Sequence, residues 1–469
     1  MSHFDRHRVR LNGSERRVLL VLAARAAAAI LRTLMLSLPA SQLWAVDGPR
    51  SVTTQPPGEE RFAIHGQLTY VEQESNGFNA PYSGRNSLAP SQGRETVDAT
   101  LFLGARLWSG AEAWVNPEID QGFGLSNTLG VAGFPSGQAY KVGANQPYFR
   151  LPRAFIRQTV DIGAEREFVA GVANQLQGSR SLDRWVFTAG KFAVTDVFDT
   201  FQYAHDPRND FLNWASVDAG TFDYAADAWG FTVGAAAELY RGSWTFRGGV
   251  FQLSNVPNSE VLEHNFDEFQ MDAEIEKRYP LFGQTGRVLL TVFDSRGRMG
   301  LYDQAIALAE ATGTTPNTAN VRQYRSRLGA NLGLEQPLTD DIGVFTRVGK
   351  AQGNVEVYEF ADIDRSVAIG TSIKGTAWHR ANDALGAAIL DNRISGEFEQ
   401  YLHLGGLGIL VGDGKLPHPG DERIIETYYS VAPLSWARIS LDYQWVKNPA
   451  YNTQRGPVSI LAVRVHVQL

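Results

Sequence analysis

The sequence predicts an all-β fold: a closed, antiparallel transmembrane β-barrel of about sixteen strands, with long loops and one short helix. Three observations carry this. Segments of about ten residues alternate apolar and polar side chains with period two, one after another along the chain. Beyond the N-terminal segment, no run of about twenty apolar residues could cross a bilayer as a helix. The 10 Trp, 16 Tyr and 25 Phe recur along the whole chain instead of clustering, as aromatic girdles at two membrane interfaces require. The length of 469 residues exceeds a typical single soluble domain but suits one large closed sheet.

Composition removes several function classes. The chain has no Cys, so disulfide frameworks, thiolate metal sites and cysteine nucleophiles are absent. With a net charge of -7 and no basic block beside aromatic platforms, nucleic acid is not an expected partner. His65, His205, His403, His418 and His466 are scattered without metal-ligand spacing, and no cofactor is implied. The glycine-rich run from Gly405 to Gly414 lacks the Lys-Ser/Thr of a phosphate-binding loop, and no Gly-x-Ser-x-Gly elbow marks a hydrolase.

Residues 1–45 read as an export signal. Arg6, Arg8, Arg10, Arg16 and Arg17 precede an apolar stretch from Val18 to Leu38. Arg25 and Arg32 interrupt it, and each would cost about 2.5 to 3.5 kcal/mol at a membrane centre, so the stretch is a poor permanent anchor. Residues 46–61, with Pro56 and Pro57, form a linker, and residues 62–469 form the barrel.

In the first strand Phe62, Ile64, Leu68 and Tyr70 share one face and His65, Gln67, Thr69 and Gln73 the other. Val97, Ala99, Leu101, Leu103 and Leu107 then oppose Asp98, Thr100 and Arg106, and a Ser109-Gly110 turn leads into Ala111, Ala113 and Val115 opposite Glu112, Trp114 and Asn116. Near the end Ile439, Leu441, Tyr443 and Trp445 oppose Arg438, Ser440, Asp442 and Gln444. Leu461, Val463, Val465, Val467 and Leu469 alternate with Ala462, Arg464, His466 and Gln468, and this closing strand is predicted to pair with the first so that no edge is left in lipid. A soluble sheet would bury its apolar face. Here charge recurs opposite that face, as at Arg325, Arg327, Glu335, Arg347, Asp364 and Lys374, and a barrel around water explains both faces.

Turns at 336–340 and 432–435 are short. Insertions at 122–148, 195–227 and 405–421 are long enough to cover a rim or fold inward. Residues 302–311 place Ala305, Ile306, Leu308 and Ala309 on helical spacing before Gly313, which predicts a helix that caps a rim or plugs part of the lumen.

The runs His65-Gly66-Gln67, Pro81-Tyr82-Ser83-Gly84, Trp114-Val115-Asn116-Pro117-Glu118, Gly122-Phe123-Gly124, Val131-Ala132-Gly133-Phe134-Pro135-Ser136-Gly137 and Gly190-Lys191-Phe192 resemble the OprB-like carbohydrate-selective porins. So do Tyr203-Ala204-His205-Asp206-Pro207-Arg208, Phe211-Leu212-Asn213-Trp214, Tyr224-Ala225-Ala226-Asp227, Val411-Gly412-Asp413-Gly414 and Asn448-Pro449-Ala450-Tyr451-Asn452. The match runs from about Phe62 to the C-terminus. One departure is Leu469, which stands where such barrels usually end in an aromatic residue.

The resemblance implies a sixteen-stranded outer-membrane channel, not an enzyme, that passes glucose-type monosaccharides by facilitated diffusion past an eyelet of arginine and acidic residues. Sugars and other small hydrophilic solutes are the implied partners. The outward apolar faces suit outer-membrane lipid or the neighbours in a homotrimer alike. A sugar site needs fixed donors for hydroxyls and aromatic faces for the apolar side of a pyranose. Wet-face candidates are Trp114, Glu112, Glu118, Arg153, Arg157, Arg325, Arg327, Arg347, Arg438 and Arg464, with Glu335 and Asp442 as further acidic partners. The long segment 191–227 is predicted to enter the lumen with Asp196, Asp199, Tyr203, Arg208 and Trp214 near the narrowest point. The competing readings are a general diffusion porin without sugar selectivity and an outer-membrane barrel hydrolase.

Overall fold

The structure, a computed structural model, describes residues 58–139 and 142–469. The signal-like segment and residues 46–57 of the linker lie outside the described residues.

In chain order the strands are β1 (Phe62–Ser75), β2 (Gly93–Trp108), β3 (Ala111–Gly122), β4 (Ala144–Asp161), β5 (Arg166–Val169), β6 (Gly178–Ser181), β7 (Arg184–Phe192), β8 (Thr232–Arg241) and β9 (Trp244–Gln252). There follow β10 (Phe269–Leu281), β11 (Gln284–Met299), β12 (Gln323–Pro337), β13 (Ile342–Ala351), β14 (Arg365–Gly375), β15 (Arg380–Arg393), β16 (Glu422–Leu434), β17 (Ala437–Lys447) and β18 (Val458–Gln468). All but β5 and β6 join one closed barrel of sixteen strands, each antiparallel to its neighbours. The expected closure is present: β1 pairs with β18 from Gln67 opposite Gln468 to Ser75 opposite Ile460. Every strand of the barrel therefore has two partners, and no row of unpaired strand backbone in the barrel wall faces lipid.

Alternation sorts the two faces as predicted. Phe62, Ile64, Ile389, Leu441 and Leu461 stand exposed on the outer wall, an apolar surface that a water-soluble monomer does not carry. At the end with the short turns, Trp185 stacks on Phe187 and Trp244 on Phe246, both pairs facing outward, as amphipathic rings do at a membrane interface.

The other end carries the long loops. The predicted helix is α1 (Tyr302–Thr312), stopped by Gly313 in the left-handed region, where the absence of a Cβ removes the penalty. Its Tyr302 stacks on Phe398 of α2 (Gly396–His403), so the two helices pack together at this end. One connection at the short-turn end escaped the sequence reading: residues 162–183 carry the separate β5–β6 hairpin.

The aromatic residues also depart from expectation. Many do not form girdles: Phe134, Phe201, Phe211, Trp214, Phe222, Phe345 and Tyr428 are buried in one core inside the barrel. Inward loops supply part of that core and the inner wall the rest.

Candidate functional site in the barrel lumen

Residues 193–231, between β7 and β8, fold into the lumen; most are buried, 211–228 throughout, while 205–210 are half-buried and Asp196 and Gln202 exposed. A buried loop cannot use water, so each of its backbone N–H groups needs an acceptor. The strands spend their own backbone on the barrel ladder. Some of the loop's N–H groups find carbonyls within the loops, as Asp218 N does at Trp214 O and Trp214 N at Phe134 O, and inward side chains of the wall serve others. Glu274 accepts from Asp199 N at 2.8 Å, Glu335 from the N–H groups of Gln202 and Tyr203 at 2.7 and 2.9 Å, and Glu426 from those of Leu212 and Asn213 at 2.5 and 2.9 Å. Arg347 does the converse work for carbonyls. It donates to Ser216 O, Ala204 O and Val217 O at 2.7, 2.9 and 3.1 Å and to the Asp199 carboxylate at 3.0 Å.

Two further loops are pinned by the same device. Asp223, at the inner end of the first loop, accepts from the N–H groups of Tyr358, Glu359 and Phe360, and Arg327 bridges it to Asp364 at 3.4 Å on each side. Glu422 accepts from Ala132 N and Gly133 N at 3.0 and 2.8 Å. Inward glycines give the rings room. A Cβ on Gly333 would come within 2.5 Å of the Phe201 ring, and one on Gly343 within 2.1 Å of the Tyr203 ring.

On the β1–β4 side the loop does not fill the lumen. A cavity of about 350 Å³ is lined there by Gln67, Gln138, Arg153, Asp196, His205 and Arg208, with Trp214, Trp229 and Phe231 among its apolar faces. Arg153 grips Asp196 through two parallel bonds of 2.7 and 2.6 Å, while its guanidinium carbon lies 4.9 Å from the Phe231 ring centre. Burial opposes the charge of Asp196, yet the Arg153 guanidinium holds its carboxyl below the usual carboxylate range. Both side chains keep part of their surface open, 16% for Arg153 and 27% for Asp196. Arg208 reaches across to Asp98 at 3.6 Å. Toward the short-turn end, Glu112, Arg157, Arg106, Arg247 and Asp196 line a second cavity of about 590 Å³, where Arg157 bonds Glu112 at 3.0 Å.

The predicted site residues therefore separate into groups. Arg153, Asp196, Arg208 and Trp214 meet at the central cavity, and Glu112 and Arg157 line the neighbouring one. Asp199, Tyr203, Arg327 and Arg347 lie in the seam between loop and wall; Arg327, with no exposed surface, offers nothing to a solute. Trp114 is fully buried rather than a platform for a sugar: its ring lies over Gly104, where a Cβ would come within 2.5 Å. Glu118 is spent on Arg150 at 2.7 Å and Thr100 at 2.6 Å. Arg325 bonds Gln304 of α1 at the long-loop rim, and Arg438 bonds Asn382 O at the opposite end. Trp229, Phe231, Gln67 and Gln138 were missed. Trp229 and Phe231 lie where the loop re-enters the wall, and nothing in their spacing marks them.

A sixteen-strand barrel with an apolar outer wall and a polar, partly open lumen has the architecture of an outer-membrane porin, a channel for solutes. A family model described as carbohydrate-selective porin, OprB family, matches residues 85–469, and the chain belongs to that family. Among solved structures, the high-pH structure of Pseudomonas putida OprB aligns with a TM-score of 0.67 at 14% identity, covering 87% of this chain and 94% of that one. The outer membrane channel DcaP of Acinetobacter baumannii aligns with a TM-score of 0.49 at 8% identity, covering 87% and 97%. No curated protein matches the sequence.

Proposed function

We propose that the cavity at Arg153 and Asp196 is the selective point of a passive channel for carbohydrates of monosaccharide size. The observation that supports this most is the pairing of a fixed guanidinium–carboxylate fork with the faces of Trp229 and Phe231 in one open space. The fork offers donors and acceptors to sugar hydroxyls, and the rings suit the apolar face of a pyranose. The volume of about 350 Å³ lies at the small end of ligand pockets, which run from roughly 300 to 1,000 Å³. Part-exposed groups bind weakly enough to release the solute on the far side, as facilitated diffusion requires.

The test is swelling of liposomes containing the purified protein in glucose, a disaccharide and a neutral amino acid. Glucose is expected to enter faster than its size alone predicts, and Arg153→Ala or Arg208→Ala to remove that advantage. Rates that follow solute size alone, unchanged in both variants, overturn the selective reading in favour of general diffusion. Residues 1–45 are read as the export signal. Sequencing of the N-terminus of protein taken from outer membranes is expected to begin near Val46, and a start at Met1 overturns it.

A further inference from the structure

The lipid-facing wall is not uniform around its circumference. At the long-loop end of β13 to β17 the outward positions carry Lys350, Arg365, Arg393, Arg423 and Lys447, all exposed. Strand pairing places them side by side. Lys350 lies opposite Arg365 and Arg365 opposite Arg393; one strand on, Arg423 lies opposite Lys447. With strands about 4.8 Å apart, the row runs roughly 20 Å around the wall.

Two carboxylates sit within this row. Asp391 bonds Arg393 at 2.8 Å and Arg423 at 3.0 Å, and Asp421 approaches the same two guanidiniums at 3.3 and 3.9 Å. They fix the two arginines while leaving their side chains 50% and 54% exposed. Lys350, Arg365 and Lys447 have no ion-pair partner among the described residues. Five cations against two carboxylates leave the row positive.

Its position on the wall is as informative as its charge. Toward the barrel middle the outward positions become Val348 opposite Val367 and, on β15 past Asp391, Ile389 opposite Ile425 opposite Trp445. The cations thus stand at the border of the apolar band, where headgroups begin. At the other end of the same strands the outward residues are Ile342, Ile373, Leu385, Tyr429 and Ile439, and the cation nearby, Arg380, is paired with Asp383. Nor is the long-loop border basic everywhere: on β1 and β2 it carries Glu72, Glu74 and Glu95. Arg296 and Arg298 on β11 face outward too, but Arg296 lies over the Tyr324 ring and Arg298 pairs with Glu268.

We propose that the outward row on β13 to β17 is a binding surface for the phosphate groups of a phosphorylated glycolipid in the leaflet on the long-loop side. Arginine forks and lysine ammoniums are the side chains that take phosphate, and the apolar rows beneath them receive acyl chains. The surface lies outside the lumen and does not depend on which solute the channel selects.

The test uses the purified full chain in phosphatidylcholine vesicles doped with bisphosphorylated lipid A, with its dephosphorylated form as the comparison. Lipid retained after affinity capture of the protein is measured by mass spectrometry. The wild type is expected to retain roughly tenfold more of the bisphosphorylated lipid, and the variant Lys350→Gln/Arg365→Gln/Lys447→Gln to lose that preference. Heat-modified electrophoretic mobility reports whether the variant barrel is folded; the single Lys447→Gln, expected to lose part of the preference, serves if it is not. Glu72→Gln/Glu74→Gln is expected to retain the wild-type preference. Equal retention of the two lipids by the wild type, or an undiminished preference in the folded triple variant, overturns the proposal. Full displacement by millimolar inorganic phosphate overturns the lipid as the source of the phosphate.

Discussion

On the inner wall from β10 to β18, inward charged side chains hold pieces of loop backbone: Glu274, Glu335, Arg347 and Glu426 grip residues 199–217, and Arg464 donates to Pro207 O. On the wall from β1 to β4, inward charges pair with one another or with one loop side chain, as Arg150 does with Glu118 and Arg153 with Asp196, while toward the short-turn end Arg106, Glu112 and Arg157 also hold backbone at residues 174–177. Both walls obey the same alternation and carry the same residue types. The difference lies in what occupies the space before them. Where a loop fills it, charge becomes an anchor and loses its water; where the lumen stays open, charge remains available to a solute.

The sharpest way to break this comparison is to remove an anchor. Arg347→Met leaves Asp199 and several loop carbonyls buried without their partner, and removal of one member of a buried ion pair costs about 3–5 kcal/mol. Its denaturant midpoint is expected to fall strongly, and single-channel conductance to rise as the loop loosens. An unchanged midpoint would mean that the seam is wetter than its burial implies. Next in size is Gly343→Val, whose side chain meets the Tyr203 ring; overpacking of this kind costs about 1–3 kcal/mol. Its conductance should become noisier, with no change in the apolar outer wall.

On the open wall the balance reverses. Arg153→Ala is expected to leave stability within about 1 kcal/mol, because the pair is partly exposed. Reversal potentials across a salt gradient should shift toward cation preference, since Asp196 then stands uncompensated in the passage. The smallest effect belongs to Arg438→Ala at the short-turn rim, with stability within about 0.5 kcal/mol and unaltered glucose flux. A flux change there equal to that of Arg153→Ala would move the constriction away from the central cavity.

Much of this was legible in the chain. Period two separated inward from outward at residues such as Leu441 and Asp442, the turn at Ser109-Gly110 fell where β2 gives way to β3, and Gly313 marked the end of α1. The entry of the long loop into the lumen was legible from its length, and Arg153, Asp196 and Arg208 were among the residues named for the site. Trp114 and Arg327 were equally good candidates by the same signal, yet they are sealed from solute.

The sequence by itself determined the closed barrel and the side of the wall each strand residue faces, because alternation is a local property read from neighbours two residues apart. Only the tertiary structure decided whether an inward charge meets water or a loop. That depends on partners far along the chain, such as Glu426 and Leu212, 214 residues apart, or Arg347 and Asp199, 148 apart. A carboxylate that caps a buried backbone N–H and one that faces the open lumen are the same residue type at the same parity, and the folded loop alone tells them apart.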